Sequence, residues 1–247
     1  MSARIELNHR IHVLTRKEEL DEVRVPGKIV VVLDILFATT TMVAALGHGA
    51  AEVLPVADES AARAAGARHA PDSYVLSGEL YAETLPGFAH PAPLALVAHG
   101  VRDKTVIYST TNGTVAMTLA AGAKRVYCGA LLNARAVAER IVAEHPRDTV
   151  LILCSGSGGN FNLEDFYGAG CFVDRFAQLL GSGADFSDAA RAALAFYRAS
   201  AVPQVLRDCR VGRMMVERGL GHEVEFAARF DALPIVPALE QGRVKCV

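Results

Sequence analysis

The stretch IVVVLDILFATTT, residues 29–41, decides the fold. Five apolar residues, Ile29 to Leu33, run without a break into a carboxylate, Asp34, and three threonines, Thr39 to Thr41, follow. A continuous β-branched run marks a strand buried on both faces, as in a parallel sheet. Threonine is poor in helix interiors but good at helix starts, so a helix is expected from Thr39. A carboxylate at the end of a buried strand, followed by hydroxyls, builds a polar pocket at the edge where open α/β sheets bind ligands. Such a pocket suits a metal ion, a phosphate or both.

The same rhythm extends along the chain. Strands are expected at 29–34, 52–56, 73–77, 105–109, 125–128 and 149–154, and helices at 39–49, 57–70, 113–122, 132–145, 163–181, 187–200 and 205–219. This alternation predicts an α/β fold of mostly parallel sheets with helices on both faces. The simplest division is two α/β subdomains, 1–120 and 121–247. Residues 81–104 break the rhythm with Pro86, Pro91 and Pro93, and read as a long surface loop able to close over a site.

Bulk properties exclude several function classes. The 247 residues are 51% apolar and carry a net charge of −2, with no basic run to meet nucleic acid or a membrane surface. No apolar span is long enough to cross a bilayer, and MSARIELNHRIHV lacks a signal-peptide core, so a cytoplasmic location is expected. Five scattered cysteines argue against a disulfide framework or a CxxC site. The histidines form no HxH or HExxH cluster, and His9 and His12 read as a solvated pair. Cys154 ends an apolar run and reads as a small buried hydrophobe. The apolar helices at 187–200 and 205–219 exceed what a small core needs, which suggests a homodimer.

Two further strand-to-helix junctions resemble the first chemically. Ser109-Thr110-Thr111-Asn112-Gly113-Thr114 again offers hydroxyls and backbone N–H groups at a helix start. Cys154-Ser155-Gly156-Ser157-Gly158-Gly159 lets backbone approach a phosphate closely, and Glu164 and Asp165 follow near the next helix start. Those acids either favour the positive end of the helix dipole or ligate a metal. Gly78-Glu79 ends a fourth apolar run with another acid. The set of oxygen ligands suits Mg²⁺ and not zinc. Candidate metal ligands are Asp34, Glu79 and Asp165. Thr39, Thr40, Thr110, Thr111, Asn112, Gly113, Ser155, Gly156, Ser157 and Gly158 are candidates to cradle phosphoryl oxygens.

DILFATTT, STTNGT, LLNARAVA and CSGSGGNFNLEDFYGAG, in that order, resemble the 2-phosphosulfolactate phosphatase family, whose patterns run D-V-L-R-A-T-T-T, T-T-N-G-T, N-A-x-A-V-A and C-A-G-x-x-G-x-F-S-L-E-D. Val236-Pro237 followed by Gly242 also resembles that family's ending, and the likeness spans about residues 27–245. It implies an α/β enzyme that uses Mg²⁺ to release phosphate from a small phosphorylated hydroxy acid, with Asp34, Glu79, Glu164 and Asp165 as its catalytic acids. Two positions depart from the pattern. Phe37 stands where the family has arginine, and Gly78-Glu79-Leu80 lacks a second. Arginine forks bind carboxylate, sulfonate and phosphate oxygens, so the expected substrate is less anionic or differently shaped than phosphosulfolactate. Arg102, Arg135, Arg210 and Arg213 are candidate replacement cations. The alternative is a relative that binds a small anionic metabolite without hydrolysing it.

Overall fold

A computed structural model describes residues 10–247. The apolar run before Asp34 forms strand β2 (Ile29–Leu33), buried at every residue. Its side chains divide by alternation: Ile29, Val31 and Leu33 enter one core layer, Val30 and Val32 the other. β2 lies in a parallel block ordered β1 (Ile11–Leu14), β8 (Val150–Cys154), β2, β7 (Arg125–Gly129). A second parallel block is ordered β3 (Glu52–Val56), β6 (Thr105–Ser109), β4 (Tyr74–Leu80), with β5 (Glu83–Thr84) antiparallel at its edge. The hairpin β9 (Pro237–Glu240) and β10 (Arg243–Cys246) joins the blocks into one ten-stranded sheet. Its outer joints are slight, with one register pair each, Tyr127↔Ala238 and Val244↔Val53. The α/β class expected from the sequence is what the structure shows. The sheet passes through the boundary expected near residue 120, since β2 sits between β7 and β8.

The helices are α1 (Ala38–Gly47), α2 (Glu59–Gly66), α3 (Pro93–His99), α4 (Gly113–Leu119), α5 (Ala134–Glu144), α6 (Leu163–Leu180), α7 (Asp188–Ala199), α8 (Gln204–Asp208), α9 (Arg210–Glu217) and α10 (Gly221–Ala227). None of the helices among the described residues is long and apolar enough to cross a membrane. Asp58 caps α2 by accepting the Ala61 N–H at 2.8 Å, and Ser187 caps α7 through the Ala190 N–H.

Three expectations change. Residues 81–104 are not one loop: they hold β5 and α3, and Pro93 starts the helix rather than breaking it. The helix expected over 205–219 is two, because Cys209 is extended and its Sγ accepts the Gly212 N–H at 3.2 Å to start α9. His12 is not solvated but buried within β1 at 1% exposure, while His9 lies outside the described residues. Cys154 is fully buried, as expected.

Candidate active site

The site forms where the carboxyl ends of both parallel blocks meet. Asp34 follows β2 at 8% exposure. Its N–H donates to Thr39 Oγ1 at 2.8 Å, and that hydroxyl donates back to the Asp34 carbonyl at 3.0 Å. Asp34 Oδ1 accepts the Ala38 N–H at 3.2 Å. Oδ2 lies against the backbone of Gly113 from the other block. A Cβ at Gly113 would sit 2.8 Å from Oδ2 and closer still to the Ala38 Cβ, so only glycine permits this approach. Burial pushes the Asp34 carboxyl up to about 7, and the nearby Glu164 and Glu79 carboxylates add to it against the Ala38 hydrogen bond and the Lys17 charge.

The threonines behind Asp34 serve differently from expectation. Thr39 and Thr40 are fully buried, with Thr40 Oγ1 donating to the Ile35 carbonyl at 2.9 Å. Their hydroxyls hold the strand-to-helix turn instead of facing ligand, because a helix's first-turn side chains fold back onto the preceding backbone. Thr41 Oγ1 and the Tyr108 hydroxyl both donate to the Pro91 carbonyl, at 2.8 and 2.9 Å.

Glu79 joins two loops. Its Oε1 accepts both the N–H and the hydroxyl of Thr111, at 2.7 and 2.9 Å, and Oε2 accepts the Ala82 N–H at 2.7 Å. Asp165 does the same on the other side. It is fully buried, with Oδ1 accepting from Ile35 N–H at 2.9 Å and Oδ2 from Gly156 N–H at 3.1 Å. Burial, then the Asp34 and Glu164 charges, raise its pKa well above the ordinary carboxylate range. Glu164 is buried behind the site, and its Oε1 meets no hydrogen-bond partner; burial raises its pKa as well. Among the described residues, no three His, Cys, Asp or Glu side chains converge as a preformed metal cage.

The glycine loop after β8 is reached from two sides. Ser155 is fully buried and its Oγ has no partner, while Gly156 and Gly158 adopt φ of +62° and +57°. Ser157 Oγ donates to Asn162 Oδ1 at 2.9 Å, and Arg210 donates to both side chains. Lys17 reaches the loop from the turn after β1. Its buried Nζ donates to Asn112 Oδ1 at 3.0 Å and to the Ser155 carbonyl at 3.3 Å, tying the Thr-Asn-Gly loop to the glycine loop beside Asp34.

A cleft of about 1100 Å³ opens above these groups. Asp34, Glu79, Thr110, Thr111, Asn112, Gly156, Ser157 and Gly158 line it, together with Phe37. Glu164, Asp165, Thr39, Thr40, Gly113 and Ser155 stand behind that lining. Of the expected cations, only Arg210 reaches the cleft: Arg102 packs at Gly49, Arg135 pairs with Asp231 at 3.7 Å and Arg213 donates to the Asp208 carbonyl. Sequence reasoning missed Lys17 and Arg218. The first follows an apolar IHVL run too short to announce a strand, and the second lies eight residues after Arg210, on the same helical side. Leu80 is half exposed and lines a smaller cavity of about 550 Å³ beyond Thr110–Thr111.

Comparison with known proteins gives the family. A family model described as 2-phosphosulpholactate phosphatase matches residues 14–242. The chain is 30% identical to a probable 2-phosphosulfolactate phosphatase of Clostridium beijerinckii, over 96% of this chain and 99% of that protein. It is 36% identical to one of Deinococcus radiodurans, over 87% of this chain and 88% of that protein, and 35% identical to one of Symbiobacterium thermophilum, over 88% and 94%. With nearly every structural element inside the match, the chain belongs to the 2-phosphosulfolactate phosphatase family, a family of phosphoric monoester hydrolases.

Proposed function

We propose that this chain is a Mg²⁺-dependent phosphatase that releases phosphate from a small phosphorylated 2-hydroxy acid of the kind that its relatives' names describe. The observation that carries the reading is Asp34. It is a buried carboxylate on the floor of a cleft, with one oxygen held by a backbone N–H and the other pressed against Gly113. The donor chemistry fits Mg²⁺, which takes one or two carboxylates and completes its shell with water and phosphate oxygens rather than a protein cage. Asp34 would hold the ion. Bound there, it would supply positive charge against the phosphoryl oxygens. Glu79 and Asp165, proposed from the sequence as further ligands, give their oxygens to backbone N–H groups and position the two loops that flank Asp34.

The remaining work falls to residues of the cleft. The Thr110–Asn112 segment and the Gly156–Gly158 loop face the phosphoryl group from opposite blocks, and Lys17 fixes their separation. Arg210 presents a guanidinium above the glycine loop to the substrate's second anionic group. The test is phosphate release from 2-phospho-3-sulfolactate and O-phospholactate, with Mg²⁺ and with EDTA. Release that needs Mg²⁺ and vanishes in Asp34→Asn supports the reading. Near-normal turnover by Asp34→Asn, or equal rates in EDTA, sinks it.

A further inference from the structure

Helix α9 presents one face to the cleft. Arg210, Met214 and, just past the helix end, Arg218 recur every four residues, with Val211 and Met215 beside them, and all five line the cleft. Arg210 and Arg218 are therefore about 12 Å apart along the axis, with an apolar stretch between them. Leu36 and Phe37, from the segment between β2 and α1, also line the cleft. Phe37 and Val211 are buried in the same core layer, against which Met214 and Met215 pack. The apolar part of the lining is thus a continuation of the core.

The two arginines differ in what they already bind. Arg218 ion-pairs with Glu83 at 3.0 Å and donates to the Ala82 carbonyl, which closes the cleft against the β4–β5 turn. Arg210's hydrogen-bond partners, Ser157 Oγ and Asn162 Oδ1, are neutral, and the Glu164 carboxyl that feels its charge is buried behind the lining, so the guanidinium is presented to an anion in the cleft. The cleft, at about 1100 Å³, lies just above the roughly 300–1,000 Å³ of pockets that enclose drug-sized ligands, and a three-carbon phosphoester fills only a small part of it.

We infer that the cleft accepts the phosphate monoester of a 2-hydroxy acid whose third substituent is an aryl or branched alkyl group. The phosphate sits at Asp34, the carboxylate at Arg210 and the apolar group against Phe37 and Met214. This deepens the phosphatase reading and rests on it for the position of the phosphate. One methylene in an apolar pocket discriminates by roughly 10–200-fold, so a phenyl group in place of hydrogen discriminates by at least tenfold.

The experiment compares O-phospho-3-phenyllactate, O-phospholactate and 2-phospho-3-sulfolactate by phosphate release with Mg²⁺. The phenyl compound is expected to have the highest kcat/KM, by at least tenfold. Met214→Ser, at a half-buried position and with its fold checked by a melting curve, is expected to cut the phenyl-to-lactate ratio at least fivefold, mainly through KM. Equal or better use of either smaller compound overturns the inference, as does an unchanged ratio in Met214→Ser. If no compound releases phosphate, the phosphatase reading fails. The apolar subsite is then judged separately by calorimetric Kd for the same three compounds, where a phenyl compound binding no tighter than phospholactate overturns it.

Discussion

Asp34 meets two opposing demands, since the proposed reaction needs its charge and burial disfavours it. The unfolded carboxyl ionises near 3.8 while the folded one holds its proton to about 7, so folding stability falls as pH rises through that window. Asp34→Asn removes this slope while keeping an acceptor for the Ala38 N–H. In EDTA at pH 8 the variant is expected to melt several degrees higher than the native chain, with a gain bounded at about 4 kcal/mol, and to be inactive when Mg²⁺ is restored. Calorimetry and a phosphate assay on the same sample check both halves. Gly113→Ala drives a methyl group into Ala38 and Asp34. It is expected to lower stability by about 1–3 kcal/mol and kcat/KM by at least 10²-fold, read by urea titration and initial rates. Asp34 is legible in the sequence because packing alone gives a fully buried strand no reason to end in a carboxylate. Thr39 and Thr40 are not, because composition reports a hydroxyl but not its direction, which the turn geometry sets.

At the scale of elements, the hidden part of the site is the turn after β1. IHVL is four residues long and contains a histidine, so periodicity gives it no strand signature; it becomes a strand by pairing in parallel with β8. Lys17 inherits that invisibility, although its Nζ spans the two loops that flank Asp34. Lys17→Met is expected to cost about 1.5–3 kcal/mol in stability and to raise KM for phosphoesters at least tenfold, with Lys17→Arg recovering most of the binding. Equal KM values in the native and Met proteins would remove Lys17 from the site. The α3 helix is hidden for another reason. Three prolines among residues 81–104 read as loop punctuation, yet Pro93 occupies a helix's first position, where its missing N–H has no partner to lose.

At the scale of the whole molecule, alternation of strands and helices announces the α/β class, but nothing local announces how the two parallel blocks join. That depends on β9 and β10, whose four-residue runs carry too little pattern to be read alone. Their attachment to β3 is electrostatic as well as laddered. Glu52 accepts from Thr105 Oγ1 at 3.2 Å and from Arg243, and pairs with Lys245 at 3.0 Å. Burial alone would raise the Glu52 carboxyl, but Lys245 and Arg243 outweigh it and hold it below the ordinary 4.5. This stabilisation is complete above about pH 4.5 and is lost as the pH falls below it. Glu52→Gln is expected to lower the urea midpoint at pH 7 and to differ little from the native chain near pH 3. A gap that persists at acid pH would contradict the assignment.

The hairpin's two strands are also the last of the ten in chain order. All strands of both parallel blocks lie before residue 155, and the ladder that carries one block over to the other comes more than eighty residues later. Asp34 and Gly113 meet where α4 packs on β2 and where Val30 and Val32 share a core layer with Val53 and Val106, and the hairpin adds a backbone ladder to that packing. Deleting residues 237–247 should therefore loosen the two blocks against each other, lowering the urea midpoint and slowing phosphate release together.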